Sequence, residues 1–156
     1  MQAQTSVDPW WAALSVWAVV NAVNALQSLG FLSRLRTGSM ALNHSLGYVI
    51  AALALPSIVA FIAFVRKGTG WLHWVGPAVF LVFIALMIAV DYAWPVEFRD
   101  PRRYGILVPY LTLFFGSILL MGAPMFYLNR QLWLVTVATS ALLLGTMTVA
   151  LRKGVG

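Results

Sequence analysis

The chain has 156 residues, of which 62% are hydrophobic and only 9% are charged, and its mean hydropathy is +0.88. Soluble domains carry about 25% charged residues, so this composition excludes a protein that folds in water and indicates an integral membrane protein. The net charge of +6 comes from Lys and Arg at the ends of apolar runs. These residues do not form the basic face of a nucleic-acid-binding protein, so we expect no nucleic acid partner.

Five apolar runs are long enough to cross a bilayer, whose core of about 30 Å needs about 20 residues of helix. They cover residues 10–32, 41–65, 71–92, 106–128 and 132–151. The connectors between them are short, and short connectors join antiparallel neighbours in an up-and-down bundle. We therefore predict an all-α integral membrane protein, in which residues 1–156 form a single compact domain of five transmembrane helices.

Lys and Arg in the connectors predict the orientation, because cytoplasmic loops carry an excess of these residues. An outside N-terminus and a cytoplasmic C-terminus place seven of the ten on the cytoplasmic side and three on the other. Six of the seven tryptophans fall at predicted span ends, where membrane interfaces favour them. The expected location is the plasma (cytoplasmic) membrane of a prokaryote.

The first run carries a polar stripe. Trp17, Asn21, Asn24 and Ser28 recur at steps of four, three and four residues, which places them on one face of a helix. Asparagine amides are costly against lipid, so this face is expected to point into the bundle or towards a partner. Two interpretations stay open: the face bonds to a neighbouring helix, or it forms one wall of a ligand or ion pathway.

The chain offers little for metal or haem binding, with two histidines and no cysteine. His44 lies near the start of the second run and His73 near the start of the third, and in antiparallel spans these positions lie on opposite sides of the membrane. Ligands of a metal or haem must converge on one ion. We therefore predict no metal site and no cofactor.

His44 and Asp91 are candidates for chemistry, because both are expected at the cytoplasmic ends of neighbouring spans. One interpretation is a proton relay, an acid–base pair or a mixed histidine–carboxylate site. The other is a capped helix end, in which Asp91 pairs with an arginine of the next connector. We predict that Asp91 lies within reach of Arg99, Arg102, Arg103 or His44.

The connector after Asp91 is the most charged part of the chain. Pro95 and Pro101 prevent either flanking helix from continuing through it. The connector supplies the charged residues of a predicted headgroup- or partner-binding loop: Glu97, Arg99, Asp100, Arg102 and Arg103. Its arginines are suited to anionic lipid headgroups, while the mixture of acids and bases also favours internal ion pairs.

Three classes of function are compatible with these features. Little sequence outside the spans and small-residue spacings in the last run favour a non-catalytic accessory or structural subunit of a larger membrane complex. Its expected partners are the lipid bilayer and either other membrane subunits or further copies of the chain in a homo-oligomer. The first alternative is a small transporter or binding protein for a hydrophobic or amphiphilic ligand, using the Asn21 and Asn24 face. The second is a membrane enzyme acting on lipid or quinone near His44 and Asp91, although familiar catalytic motifs are absent.

Overall fold

The computed structural model describes residues 9–98 and 103–154, and within these ranges the chain is helical with short connections and no β-strand. The helices are α1 (Trp10–Thr37), α2 (Ala41–Ala52), α3 (Ala54–Arg66), α4 (Trp71–Ile88), α5 (Tyr104–Leu128) and α6 (Arg130–Arg152), and a π-helical turn (Ala89–Ala93) continues α4.

Five of the described helical stretches are long and apolar enough to cross a membrane, which confirms the predicted number. They are Trp10–Thr37, Ala41–Arg66, Trp71–Ala93, Tyr104–Leu128 and Arg130–Arg152. The main difference from the predicted bounds is at the end of the first, which reaches Thr37 instead of residue 32. There Gly38 ends α1 with a φ of 68° and donates its N–H to the Arg34 carbonyl at 2.8 Å, a conformation that glycine adopts without steric cost.

The second span is interrupted between α2 and α3. Leu53 separates the two helices, and its N–H is shared between the carbonyls of Val49 and Ile50. Pro56 follows one turn later and lacks the N–H that would bond back to Ala52. The interruption therefore makes α2 a separate short helix, and only two of its residues, Gly47 and Ile50, are buried.

Helix α1 is the centre of the bundle. It packs against α2, α3, α5 and α6, while α4 packs against α3 and most extensively against α5. Successive spans are antiparallel, and Gly76 near the start of α4 accordingly lies against Leu120 and Met121 near the end of α5. Glycine at this contact lets the two backbones approach closely.

Helices α1 and α6 are parallel and in register. Hydrogen bonds join Trp17 to Leu132, Asn21 to Thr136 and Asn24 to Thr139, in each case between residues 115 positions apart. The ends of α1, α4 and α6 and the starts of α2 and α5 therefore lie at one end of the bundle. This is the end at which the candidate site is found.

Candidate functional site

A cleft of about 850 Å³ opens at this end of the bundle. Its walls come from the last turns of α1 and α6, the start of α2, the π-helical turn with the following segment, and the start of α5. The polar side chains that line it are Gln27, Arg34, Asn43, His44, Asp91, Tyr92, Glu97, Tyr104 and Tyr110. The apolar ones are Phe31, Met40, Met87, Val90, Pro95, Val96, Phe98, Leu107, Leu111, Phe114, Phe115, Met147 and Leu151.

The π-helical turn places Asp91 in the cleft wall. The Trp94 N–H bonds to the Ala89 carbonyl at 2.8 Å, five residues back, so the backbone is wider here than in an α-helix. Pro95 follows and has no N–H to continue the ladder. Turns of this kind are frequent at functional sites, and this one brings both Asp91 and Tyr92 to the cleft.

Asp91 accepts a hydrogen bond from the Tyr110 hydroxyl at 3.1 Å. The Tyr110 ring packs against the rings of Phe83 and Phe98, and the centroid of each lies 5.3 Å from the Tyr110 centroid. Phe98 is fully buried. This packing fixes the hydroxyl that Asp91 uses. Of the four partners predicted for Asp91, two (at positions 99 and 102) lie outside the described residues, and Tyr110 is not among the four.

His44 lies on the α2 wall of the same cleft, in a cluster of three rings. Its centroid is 4.6 Å from that of Tyr92 and 5.5 Å from that of Tyr48, and the two tyrosine rings are 4.6 Å apart. The Tyr92 hydroxyl donates to the His44 carbonyl at 2.8 Å. The same hydroxyl occupies the space that a Cβ at position 47 would need, so the Tyr92 side chain can lie here only because residue 47 is glycine. The cluster ties α2 to the π-helical turn.

Arg34 lies in the α1 wall and is only 8% exposed, although it stands in the last turn of the helix. Its guanidinium carbon is 5.2 Å from the centroid of the Phe31 ring, a cation–π distance. From the sequence alone, Arg34 is only one of the basic residues that predict the orientation of the protein in the membrane. A signal is nevertheless present, because Gln27, Phe31 and Arg34 are spaced by four and three residues and share one helix face.

The polar stripe of α1 lies apart from the cleft and faces α6. The Trp17 indole N–H donates to the Leu132 carbonyl at 2.9 Å. The Asn21 amide donates to Thr136 at 3.1 Å and its oxygen accepts from Thr139 at 2.8 Å. These bonds hold the two parallel helices together across what would otherwise be an apolar contact.

Asn24 and Ser28 continue this stripe deeper into the bundle. Asn24 is fully buried, and its amide donates to Thr139 at 3.1 Å and to Ser140 at 3.0 Å. Ser28 bonds within α1, to the Asn24 carbonyl at 2.7 Å. The side-chain oxygen of Asn24 has no hydrogen-bond partner within the described ranges. The stripe thus has the geometry of a contact between helices.

The structure describes part of the predicted loop. Glu97 is exposed and lines the cleft, and Arg103 is exposed immediately before α5, with its N–H bonded to the Phe98 carbonyl at 2.9 Å. Arg99, Asp100 and Arg102 lie outside the described residues. His73 lies at the other end of the bundle, 5.8 Å from the Phe64 ring. Within residues 9–98 and 103–154, no three His, Asp or Glu side chains are close enough together to hold a metal.

Searches of protein-family models, curated proteins and solved structures found no match for this chain. Its class is therefore defined by its own architecture. The part of the chain that the structure describes is an α-helical bundle with five helices apolar enough to span a membrane, and it has a large cleft of mixed polarity at one end.

Proposed function

We propose that this is an integral membrane protein that binds an amphiphilic ligand in the cleft, as a small transporter or binding protein. The observation that carries the proposal is the cleft itself, whose volume of about 850 Å³ falls within the range of about 300–1,000 Å³ typical of ligand sites. An amphiphile matches its two kinds of wall, with a polar head near Arg34 and Asp91 and an apolar tail along the Phe and Leu side chains.

The membrane itself supports access by such a ligand. Large apolar side chains cover the outside of the helices, for example Leu55 at 68% and Leu119 at 71% exposed, and in water such surfaces would be costly. The lipid bilayer is thus the proposed surrounding partner of these faces. In this proposal the ligand enters the cleft from the bilayer.

We place the cleft on the cytoplasmic side of a prokaryotic plasma membrane, with the N-terminus outside. Basic residues support this orientation, because five described ones lie at the cleft end: Arg34, Arg36, Arg103, Arg152 and Lys153. Three lie at the other end: Arg66, Lys67 and Arg130. The chain has no cysteine of its own, so single cysteines test the orientation. In cells, an impermeant thiol reagent should label Thr69→Cys and not Ser39→Cys, and the reverse pattern would invert the topology.

Ligand binding is tested by filling the cleft. Met147 lines it near the end of α6, whereas Leu142 on the same helix is 53% exposed and is not part of the lining. The purified protein should melt at a higher temperature with a phospholipid, a fatty acid or a short-tailed quinone, because ligands that bind the folded state stabilise it. Met147→Trp should abolish that shift and Leu142→Trp should retain it. Equal shifts in both variants, or none in the parent, would contradict the proposal.

A membrane enzyme acting on its lipid or quinone ligand would use the same cleft. That activity is recognised by turnover of the bound ligand and its loss in His44→Ala and Asp91→Asn. Binding without turnover identifies a carrier or binding protein.

A subunit role is the second candidate, and the outer face of α6 favours it. Ala141 and Gly145 have the small-residue spacing of helix contacts, both are exposed, and no heavy atom lies within 4 Å of a Cβ built at Gly145. Another membrane subunit or a second copy of the chain fits against this face. Extraction in mild detergent followed by native mass spectrometry tests it: a defined complex supports the subunit role, and a monomer from native membranes contradicts it.

A further inference from the structure

We propose that the ligand is a phospholipid whose head group carries both a phosphodiester and hydrogen-bond donors, such as a hydroxyl or an ammonium group. This inference rests on the proposed function and specifies its ligand. It follows from the placement of a cation and of carboxylates on different walls of one cleft, with an apolar lining beside them.

The cation is Arg34, the one charged side chain that is buried within the described ranges. A guanidinium offers five N–H donors in a planar fork, which matches two oxygens of a phosphate. Basic pockets between membrane helices on the cytoplasmic side bind lipid phosphates in this way. The exposed Arg103 at the same end of the bundle adds positive potential there.

The carboxylates are Asp91 on the π-helical turn and Glu97 in the segment that follows. A carboxylate has about four lone-pair positions and can accept from several donors at once, and at Asp91 the Tyr110 hydroxyl is one of these donors. These oxygens only accept hydrogen bonds, so they favour a head group with donors beyond its phosphate. Phosphatidylglycerol and phosphatidylethanolamine have such donors, phosphatidylcholine does not, and diacylglycerol has a hydroxyl but no phosphate.

Four lipids with identical dioleoyl tails therefore separate the contributions. The purified full chain in mild detergent is titrated with each lipid, and bound lipid is counted by native mass spectrometry. The glycerol and ethanolamine phospholipids should bind about tenfold or more tightly than the choline phospholipid and diacylglycerol, as expected when a charge-assisted hydrogen bond is lost.

Each of the other binding results would contradict one part of this inference. Diacylglycerol binding as tightly as phosphatidylglycerol overturns the phosphate assignment, and phosphatidylcholine doing so overturns the donor assignment; both leave the proposed function standing. Competition by soluble glycerol phosphate at similar concentrations overturns the lipid as the source of the phosphate. No binding of any of the four lipids overturns this inference, and the proposed function fails as well if fatty acid and quinone also fail to bind.

Arg34→Gln supplies the residue-level test. Within one preparation, the ratio of phosphatidylglycerol to diacylglycerol affinity should fall about tenfold towards one. This ratio does not depend on how much of the variant folds. Arg36→Gln is the matched control, since Arg36 is exposed on the same helix end and is not part of the lining. An unchanged ratio in Arg34→Gln, or an equal fall in Arg36→Gln, would overturn the assignment of Arg34.

Discussion

Gly76→Ala should force apart the close backbone contact between α4 and α5. A Cβ at position 76 would lie 2.7 Å from the Met121 nitrogen and 2.8 Å from the Leu120 carbonyl carbon, whereas carbon atoms in ordinary contact are about 3.5–4.0 Å apart. Because both neighbours are backbone atoms, α4 and α5 must separate. Overpacking of this kind costs about 1–3 kcal/mol, and the gain of about 0.5–1 kcal/mol from replacing a helical glycine offsets part of it. We expect a net loss of about 1–2 kcal/mol.

Two other glycines provide a graded comparison. A Cβ at position 145 would have no heavy atom within 4 Å, so Gly145→Ala should raise stability by about 0.5–1 kcal/mol. At Gly122 a Cβ would lie 3.0 Å from a Thr136 methyl carbon, so Gly122→Ala should fall between the two. Unfolding in mixed micelles of dodecyl maltoside and SDS measures all three against the parent. If Gly76→Ala is as stable as Gly145→Ala, the close approach of α4 and α5 is refuted.

The remaining predictions concern the α1–α6 contact and the ring cluster. Replacing Asn21 and Asn24 together by Leu removes four hydrogen bonds to α6, each worth about 0.6 kcal/mol in membranes. The same unfolding assay should show a loss of about 2 kcal/mol or less, because the buried side-chain oxygen of Asn24, which has no partner among the described residues, is removed as well; higher stability would contradict the role of these bonds. Gly47→Ala should displace the Tyr92 ring and raise hydrogen exchange across α2. Tyr92→Phe, which loses only the hydroxyl, should raise it less, and equal effects would contradict the steric explanation.

Features that depend on the length of apolar runs or on helical periodicity could be predicted from the sequence. Apolar runs of sufficient length identify five spans, because the bilayer fixes how much apolar helix each one needs. The stripe from Trp17 to Ser28 is visible because its spacing follows the helical repeat. The sequence of α1 does not show which helix packs against this polar stripe. Several spans carry hydroxyl residues, and only the packing of α1 beside α6 selects Thr136 and Thr139.

The cleft could not be predicted, since it depends on departures from regular helix and on contacts between distant residues. The π-helical turn depends on how the backbone bonds before Pro95, and a period of 3.6 residues does not anticipate a wider turn. Charge alone does not single out Tyr110, an uncharged donor to Asp91 that the α4–α5 pairing brings close. For Arg34 the only signal is the helix face that it shares with Gln27 and Phe31, because position at a helix end says little about burial.

Mapping where a bound lipid tail lies tests the central claim most directly. A phospholipid with a photoreactive group in its acyl chain is added to the purified protein, and the mixture is irradiated. Peptide mass spectrometry then identifies the residues to which the lipid has become attached. We predict saturable labelling of the cleft residues Leu107, Phe115 and Met147, which unlabelled phosphatidylglycerol suppresses. Labelling spread evenly over the outward residues Leu119 and Leu142, with no saturation and no competition in the cleft, would contradict a ligand site there.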